Sequence, residues 1–217
     1  MKIHLLLFLF ITNLFIINLS ADMSKCKVSF TTNEFKSIEK KYGKTAINRI
    51  KDFVRFIRSI QNEKRPKKMI LLNNYLNQLL PEYDDVTHNK QEHWSTPKEF
   101  LSMGYGDCED YVIIKYFSLV TLGYDQNKLF FTVVTETFTG TNHMVLSYYP
   151  SGFGEPYVLD NLSFRILQMG DRIDLKPHYV FNHNGVYKVN KKGVRQDRVV
   201  KDMSLYFDLI KRIQAGK

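Results

Sequence analysis

The sequence predicts an α+β domain with a helical first half and an antiparallel sheet in its second half. Three observations predict it. Apolar residues between Ile47 and Leu79 recur at helical spacing. The stretch from Tyr111 to Leu122 is apolar nearly all round, which marks a buried central helix. Beyond Gly123 the chain breaks into short β-branched and aromatic runs separated by Gly, Pro and Asn. A length of 217 residues suits one domain, and neither an internal repeat nor a Pro-, Gly- or Ser-rich linker divides it.

In order, Ile47, Ile50, Phe53, Val54, Ile57 and Ile60 form the apolar face of a helix, with Arg49, Lys51, Arg55 and Arg58 as its basic outer face. Residues 61–68 read as a polar turn. Met69, Leu72, Leu76 and Leu79 mark a second helix ending before Pro81, and residues 82–92 read as an irregular polar segment. Thr96-Pro97-Lys98-Glu99 is a helix start: Thr96 caps, Pro97 takes the first helical position and Glu99 completes a capping box. This helix stops at Gly104-Tyr105-Gly106. Asp107 caps the next, which runs to Gly123. Strands are expected over 129–137, 142–149 and 157–160. Asn184-Gly185 reads as the turn of a hairpin over 179–189. A last helix over 197–213 would place Val200, Met203, Phe207, Ile210 and Ile213 on one face.

Residues 1–21 have a different character. Lys2 precedes an apolar run, diluted by Asn13 and Asn18, that ends in Leu19-Ser20-Ala21. This is the profile of a secretory signal peptide cleaved after Ala21, leaving residues 22–217 as the mature domain in the periplasm. The alternative is an uncleaved anchor, for which the run is short and polar-interrupted. Cys26 does not follow the cleavage site directly, so a lipoprotein is not indicated.

Composition narrows the function classes. A 44% hydrophobic and 14% aromatic content supports a packed core and excludes a disordered scaffold. Two cysteines cannot build a disulfide framework or a four-thiolate zinc site. The net charge of +9 suits an acidic partner, an anionic membrane surface or nucleic acid, and equally a surface bias toward lysine. Export and the lack of a recognisable module argue against nucleic acid.

Cys108 carries the clearest chemical signal. In the first turn of a helix, a thiol faces the positive end of the helix dipole, which lowers its pKa and favours the nucleophilic thiolate. A base and an orienting group are then needed. His143 near the start of one strand and Asp160 at the end of the next supply them if those strands are antiparallel neighbours packed on the Cys108 helix. Asp107, Glu109 and Asp110 surround the sulfur. They are either hard oxygen ligands of the kind Ca2+ prefers or first-turn capping residues; uncompensated, their charge would raise the thiol pKa. No EF-hand loop is present. His88 and His93 near Asp84 and Asp85 lack the spacing of a helical metal pair. Trp94 either lines a cleft or belongs to the core, and Asn161 suits a turn. A Cys26–Cys108 disulfide would block a catalytic thiolate, so Cys108 is expected to be free.

The stretch HWSTPKEFLSMGYGDCEDYVIIKYFSLVTLG, followed by NHMVLSYYP and EPYVLDNL, resembles the bacterial transglutaminase-like cysteine proteinases, and among them the LapG-type periplasmic adhesin proteases. The resemblance is dense from about Trp94 to Leu162. It implies a papain/transglutaminase-like fold and a triad of Cys108, His143 and Asp160. It also implies calcium dependence, with ligands at Asp107 and Glu109 and less firmly Asp110. The implied substrate is the N-terminal region of a large adhesin, cut at a small-residue site to control attachment and biofilm. The implied regulator is an inner-membrane cyclic di-GMP receptor that sequesters the protease. Two other readings remain: acyl transfer or deamidation at the same site, and a noncatalytic exported binding protein that docks through the basic surface from Arg49 to Arg58.

Overall fold

The computed structural model describes residues 28–81 and 93–216. The proposed signal peptide, Cys26, Asp84, Asp85 and His88 lie outside the described residues.

The helical half opens with α1 (Thr32–Ser59), which breaks at Gly43. Its start carries a capping box that the sequence reading did not single out: Thr31 accepts from the Glu34 amide while Glu34 accepts from the Thr31 amide. Beyond the break, Ala46, Ile47, Ile50, Phe53 and Ile57 are buried at the expected spacing. Lys51, Arg55 and Arg58 are exposed as expected, but Arg49 is half-buried. Its Nη1 donates to the Leu101 and Ser102 carbonyls, both at 2.9 Å.

The second helix, α2 (Arg65–Leu76), starts inside the segment expected to be a turn and ends a turn before Pro81. Pro66 explains the start, since a proline without an amide hydrogen fits a first helical turn. After β1 (Leu80–Pro81) comes α3 (Pro97–Met103), whose Thr96/Glu99 capping box is present in full. Gly104, at φ 85°, closes α3 in the left-handed conformation that glycine adopts without a Cβ penalty. The short β2 (Tyr105–Gly106) pairs in parallel with β1, and α4 (Cys108–Thr121) follows immediately. Ten consecutive residues of α4, from Asp110 to Leu119, are buried. Such an all-round buried helix sits at the middle of a core.

The second half is a seven-stranded antiparallel sheet: β3 (Leu129–Glu136), β4 (Asn142–Tyr148), β5 (Tyr157–Asp160), β6 (Ser163–Gln168), β7 (Leu175–Asn182), β8 (Gly185–Val189) and β9 (Arg195–Val199). The spatial order is β6-β5-β4-β3-β7-β8-β9. Met144, Leu146, Leu159, Phe131 and Phe181 pack with Ile113, Ile114, Phe117 and the α1 and α2 side chains in one core. Burying side chains of this size stabilises by roughly 1.5–3 kcal/mol each, which fixes the helical layer on the sheet. On the other face, Val134, Val145 and Val158 pack under Met169 and Leu175, so the β6–β7 connection crosses that face.

Three expectations are corrected. The 197–213 segment is not one helix. Residues 195–199 form β9 against β8, Val200 is fully exposed, and helix α5 covers only Ser204–Gln214, burying Tyr206, Leu209 and Ile210. The hairpin turn is His183-Asn184, one residue earlier than read, because Asn182 pairs with Gly185. Strand β6 was not anticipated; it is a sheet edge with Phe164 exposed, so its pattern lacks a buried face.

Candidate active site

The short strand β2 ends at Gly106, and Asp107 caps α4 by accepting from the Asp110 amide. This puts Cys108 at the first turn, beside the sheet. Gly106 is required by contact rather than by dihedral angle: a Cβ there would collide with the Asp110 carboxylate and with Phe100, at 2.9 Å from its ring. Asp110 is itself buried, its Oδ1 accepting from the Ser95 amide at 2.7 Å and its Oδ2 from the Ser95 hydroxyl at 3.0 Å. The residues before α3 are thereby tied to the start of α4.

Antiparallel pairing of β4 and β5 aligns Leu146 with Leu159. By extension Asp160 lies opposite Val145, and His143 lies two residues further, on the same side of the sheet. His143 Nε2 is 2.8 Å from Asp160 Oδ1. Both groups are buried, at 7% and 1% exposure. Asp160 Oδ1 also accepts from the Leu162 amide at 3.0 Å across the turn formed by Asn161 and Leu162. Its Oδ2 pairs with Arg172 Nη2 at 2.6 Å. Burial alone would raise the Asp160 pKa, but the His143 hydrogen bond and charge, the Leu162 amide and Arg172 together hold it far below the usual carboxylate range.

Cys108 is a free thiol. It approaches the same corner of the sheet: the backbone amide of Met144, next to His143, lies close enough to the sulfur to oppose the rise of its pKa. Its S–H donates to Glu109 Oε2 at 2.9 Å rather than to the imidazole. The thiolate expected from the helix position is not what this geometry favours. Burial pushes the thiol pKa strongly up, the Glu109 charge and hydrogen bond add to that, and the Asp107 charge adds further. Helix-dipole stabilisation is worth about 1 kcal/mol or less for an ordinary site, too little to offset burial beside two carboxylates.

The acidic candidates divide. Asp107 and Glu109 flank the sulfur and are half-buried, whereas both oxygens of the fully buried Asp110 are engaged by Ser95. Among the described residues, no three His, Cys, Asp or Glu side chains gather as a metal cluster. His93 stands 3.7 Å from Glu99. Trp94 belongs to the core, stacked near Phe131 and Phe181 at centroid distances of 6.2 and 6.1 Å. It also lines a cavity of about 170 Å³ with Met144, Tyr179 and Phe181.

The model of one family, the bacterial transglutaminase-like cysteine proteinases, matches residues 48–173, more than half of the chain. The chain belongs to this family. The proteinase is similar in structure to calcium-bound LapG of Legionella pneumophila, with 31% identity, 85% of this chain and 99% of that chain covered, and a TM-score of 0.71. EGTA-treated LapG of the same organism gives 32% identity, coverage of 82% and 97%, and a TM-score of 0.68. No curated protein matches. The protein is thus a transglutaminase-like cysteine protease, with the helix-on-antiparallel-sheet architecture of that fold. Among the described residues, no helix is long and apolar enough to cross a membrane.

Two residues of this corner were not singled out from sequence. Arg172 lies in the connection after β6, with no local motif to mark it. Lys115 is fully buried inside the apolar run of α4; a single lysine in that run was the available signal.

Proposed function

We propose that this proteinase is an exported, calcium-dependent endopeptidase in which Cys108, His143 and Asp160 form the triad. The observation that carries the reading is the 2.8 Å contact between His143 and Asp160 at the strand end whose next amide, that of Met144, reaches the Cys108 sulfur. With Nε2 turned to Asp160, the imidazole keeps Nδ1 for the thiol proton. The sulfur leaves Glu109, gives its proton to His143 and attacks the peptide carbonyl carbon. His143 then protonates the departing amine as the C–N bond breaks, leaving a thioester. Water, losing a proton to the same nitrogen, hydrolyses the thioester and restores the thiol. Asp160, anchored by Arg172, holds the ring tautomer throughout.

Calcium is carried over from the family resemblance and from the calcium-bound and EGTA-treated forms of LapG. The oxygen chemistry of Asp107 and Glu109 fits it, and Asp110, engaged by Ser95, fits as support for them. When bound, Ca2+ would draw the charge of these carboxylates away from the sulfur. The substrate proposed is the N-terminal region of a large surface adhesin, cut at a small-residue site, with release of the adhesin controlling biofilm attachment. A cyclic di-GMP receptor of the inner membrane is the proposed regulator.

The test is incubation of the mature chain, residues 22–217, with adhesin N-terminal regions, with and without EGTA, beside a Cys108→Ala control. Cutting is expected only from the wild type with calcium. Cutting by the alanine variant would remove the triad, and undiminished cutting in EGTA would remove the calcium requirement.

A further inference from the structure

Lys115 lies seven residues after Cys108, so it shares a face of α4 with it, about 10 Å along the axis. It is fully buried. Its ammonium donates to Asn77 Oδ1 at 2.7 Å. Asn77, just past the end of α2, turns its Nδ2 to the β5–β6 corner, donating to the Asp160 carbonyl at 2.7 Å and the Ser163 carbonyl at 3.0 Å. A second asparagine, Asn73, also fully buried, donates to the Ser163 carbonyl at 2.8 Å. The helix bearing the nucleophile is therefore joined through two side chains to the main chain of the residue whose carboxylate holds His143.

Stability alone does not account for this choice. Taking an ammonium out of water is costly, and an apolar side chain of similar volume in the same place is often neutral or stabilising. Burial pushes the Lys115 pKa down to about 7, and only the attraction of Asp160 opposes that fall. The apolar residues around it on α4, Ile113, Ile114, Tyr116 and Phe117, already bind the helix to the sheet.

We propose that Lys115 and Asn77 are positioning residues for proteolysis, a buried strut that sets the Asp160–His143 pair at the distance from Cys108 that the reaction needs. This rests on the triad reading above. Displacing reacting groups by about an ångström costs up to roughly 100-fold in rate, so the strut acts on kcat and leaves substrate binding alone.

The test measures kcat and KM for cleavage of an adhesin N-terminal fragment by four calcium-loaded chains: wild type, Lys115→Met, Asn77→Asp and the double variant. Asn77→Asp keeps an acceptor for Lys115, which preserves the fold, but loses the donor to the Asp160 carbonyl. Both variants are expected to lose roughly 10- to 100-fold in kcat with KM within twofold of wild type. A double Lys115→Met/Asn77→Asp chain should be no worse than the weaker single variant. Unchanged kcat in a folded Asn77→Asp chain overturns the strut, as does a loss carried by KM. Cleavage by Cys108→Ala marks instead a failure of the triad reading, which the strut would not survive.

Discussion

His143 and Asp160 hydrogen-bond at 2.8 Å across a diagonal of the β4–β5 ladder, not as directly facing partners. The diagonal leaves the second carboxylate oxygen open to Arg172, which arrives from the connection crossing the far face of the sheet behind Met169.

Removing Arg172 strips a buried carboxylate of its cation. Arg172→Leu is expected to lower unfolding free energy by about 3–5 kcal/mol at pH 7. The Asp160 pKa is depressed on folding, so its contribution is present above the unfolded value of about 4 and fades as pH falls toward the folded value. Urea melts of both chains at pH 7 and pH 3 check this: the gap should narrow in acid, and an equal gap at both pH values would refute it.

Burial raises the Cys108 pKa, and the Glu109 charge and hydrogen bond raise it further. In EGTA-treated protein, Glu109→Gln is expected to speed alkylation of Cys108 at pH 8. Losing a neighbouring negative charge lowers the thiol pKa, and one unit gives about tenfold more thiolate. Iodoacetamide kinetics followed by mass spectrometry measure it; slower labelling would contradict the assignment.

At Gly106 an added methyl group meets the Asp110 carboxylate, which cannot swing away because Ser95 holds both its oxygens. Gly106→Ala should cost about 1–3 kcal/mol, or roughly 2–4 °C of melting temperature per kcal/mol. An unshifted thermal melt would show that the contact is readily relieved.

Trp94 is the single tryptophan, and it adjoins Ser95, whose amide and hydroxyl hold Asp110. Calcium added to the metal-free protein is expected to change its fluorescence through that link. Asp107→Ala/Glu109→Ala should abolish the response. A full response in the double variant would move the calcium site elsewhere.

Features legible in the sequence were those whose partners lie close along the chain. The Thr96/Glu99 capping box spans three residues, and the Cys108, His143 and Asp160 motifs each sit at the edge of a recognisable element. Helix position favours a thiolate and is legible locally, whereas the burial and the Glu109 hydrogen bond that oppose it depend on packing. Arg172 was missed because only the folding of the β6–β7 connection over the sheet brings it to Asp160, twelve residues earlier. The last helix was misread because pairing with β8 claims residues 195–199, and Val200, placed on the apolar face of that helix, is fully exposed. Arg49 looked like a solvated charge until α3 placed carbonyls over it.

Helix α5 has a consequence of its own. Arg212 pairs with Glu99 at 2.9 Å and donates to the Trp94 carbonyl at 2.6 Å, and Lys98 donates to the Gly216 carbonyl at 3.1 Å. The stretch that steadies the cysteine's helix is thus latched by residues more than a hundred positions later. A growing polypeptide cannot close that latch until α5 has been synthesised, so the start of the cysteine's helix is secured only after every strand of the sheet has emerged.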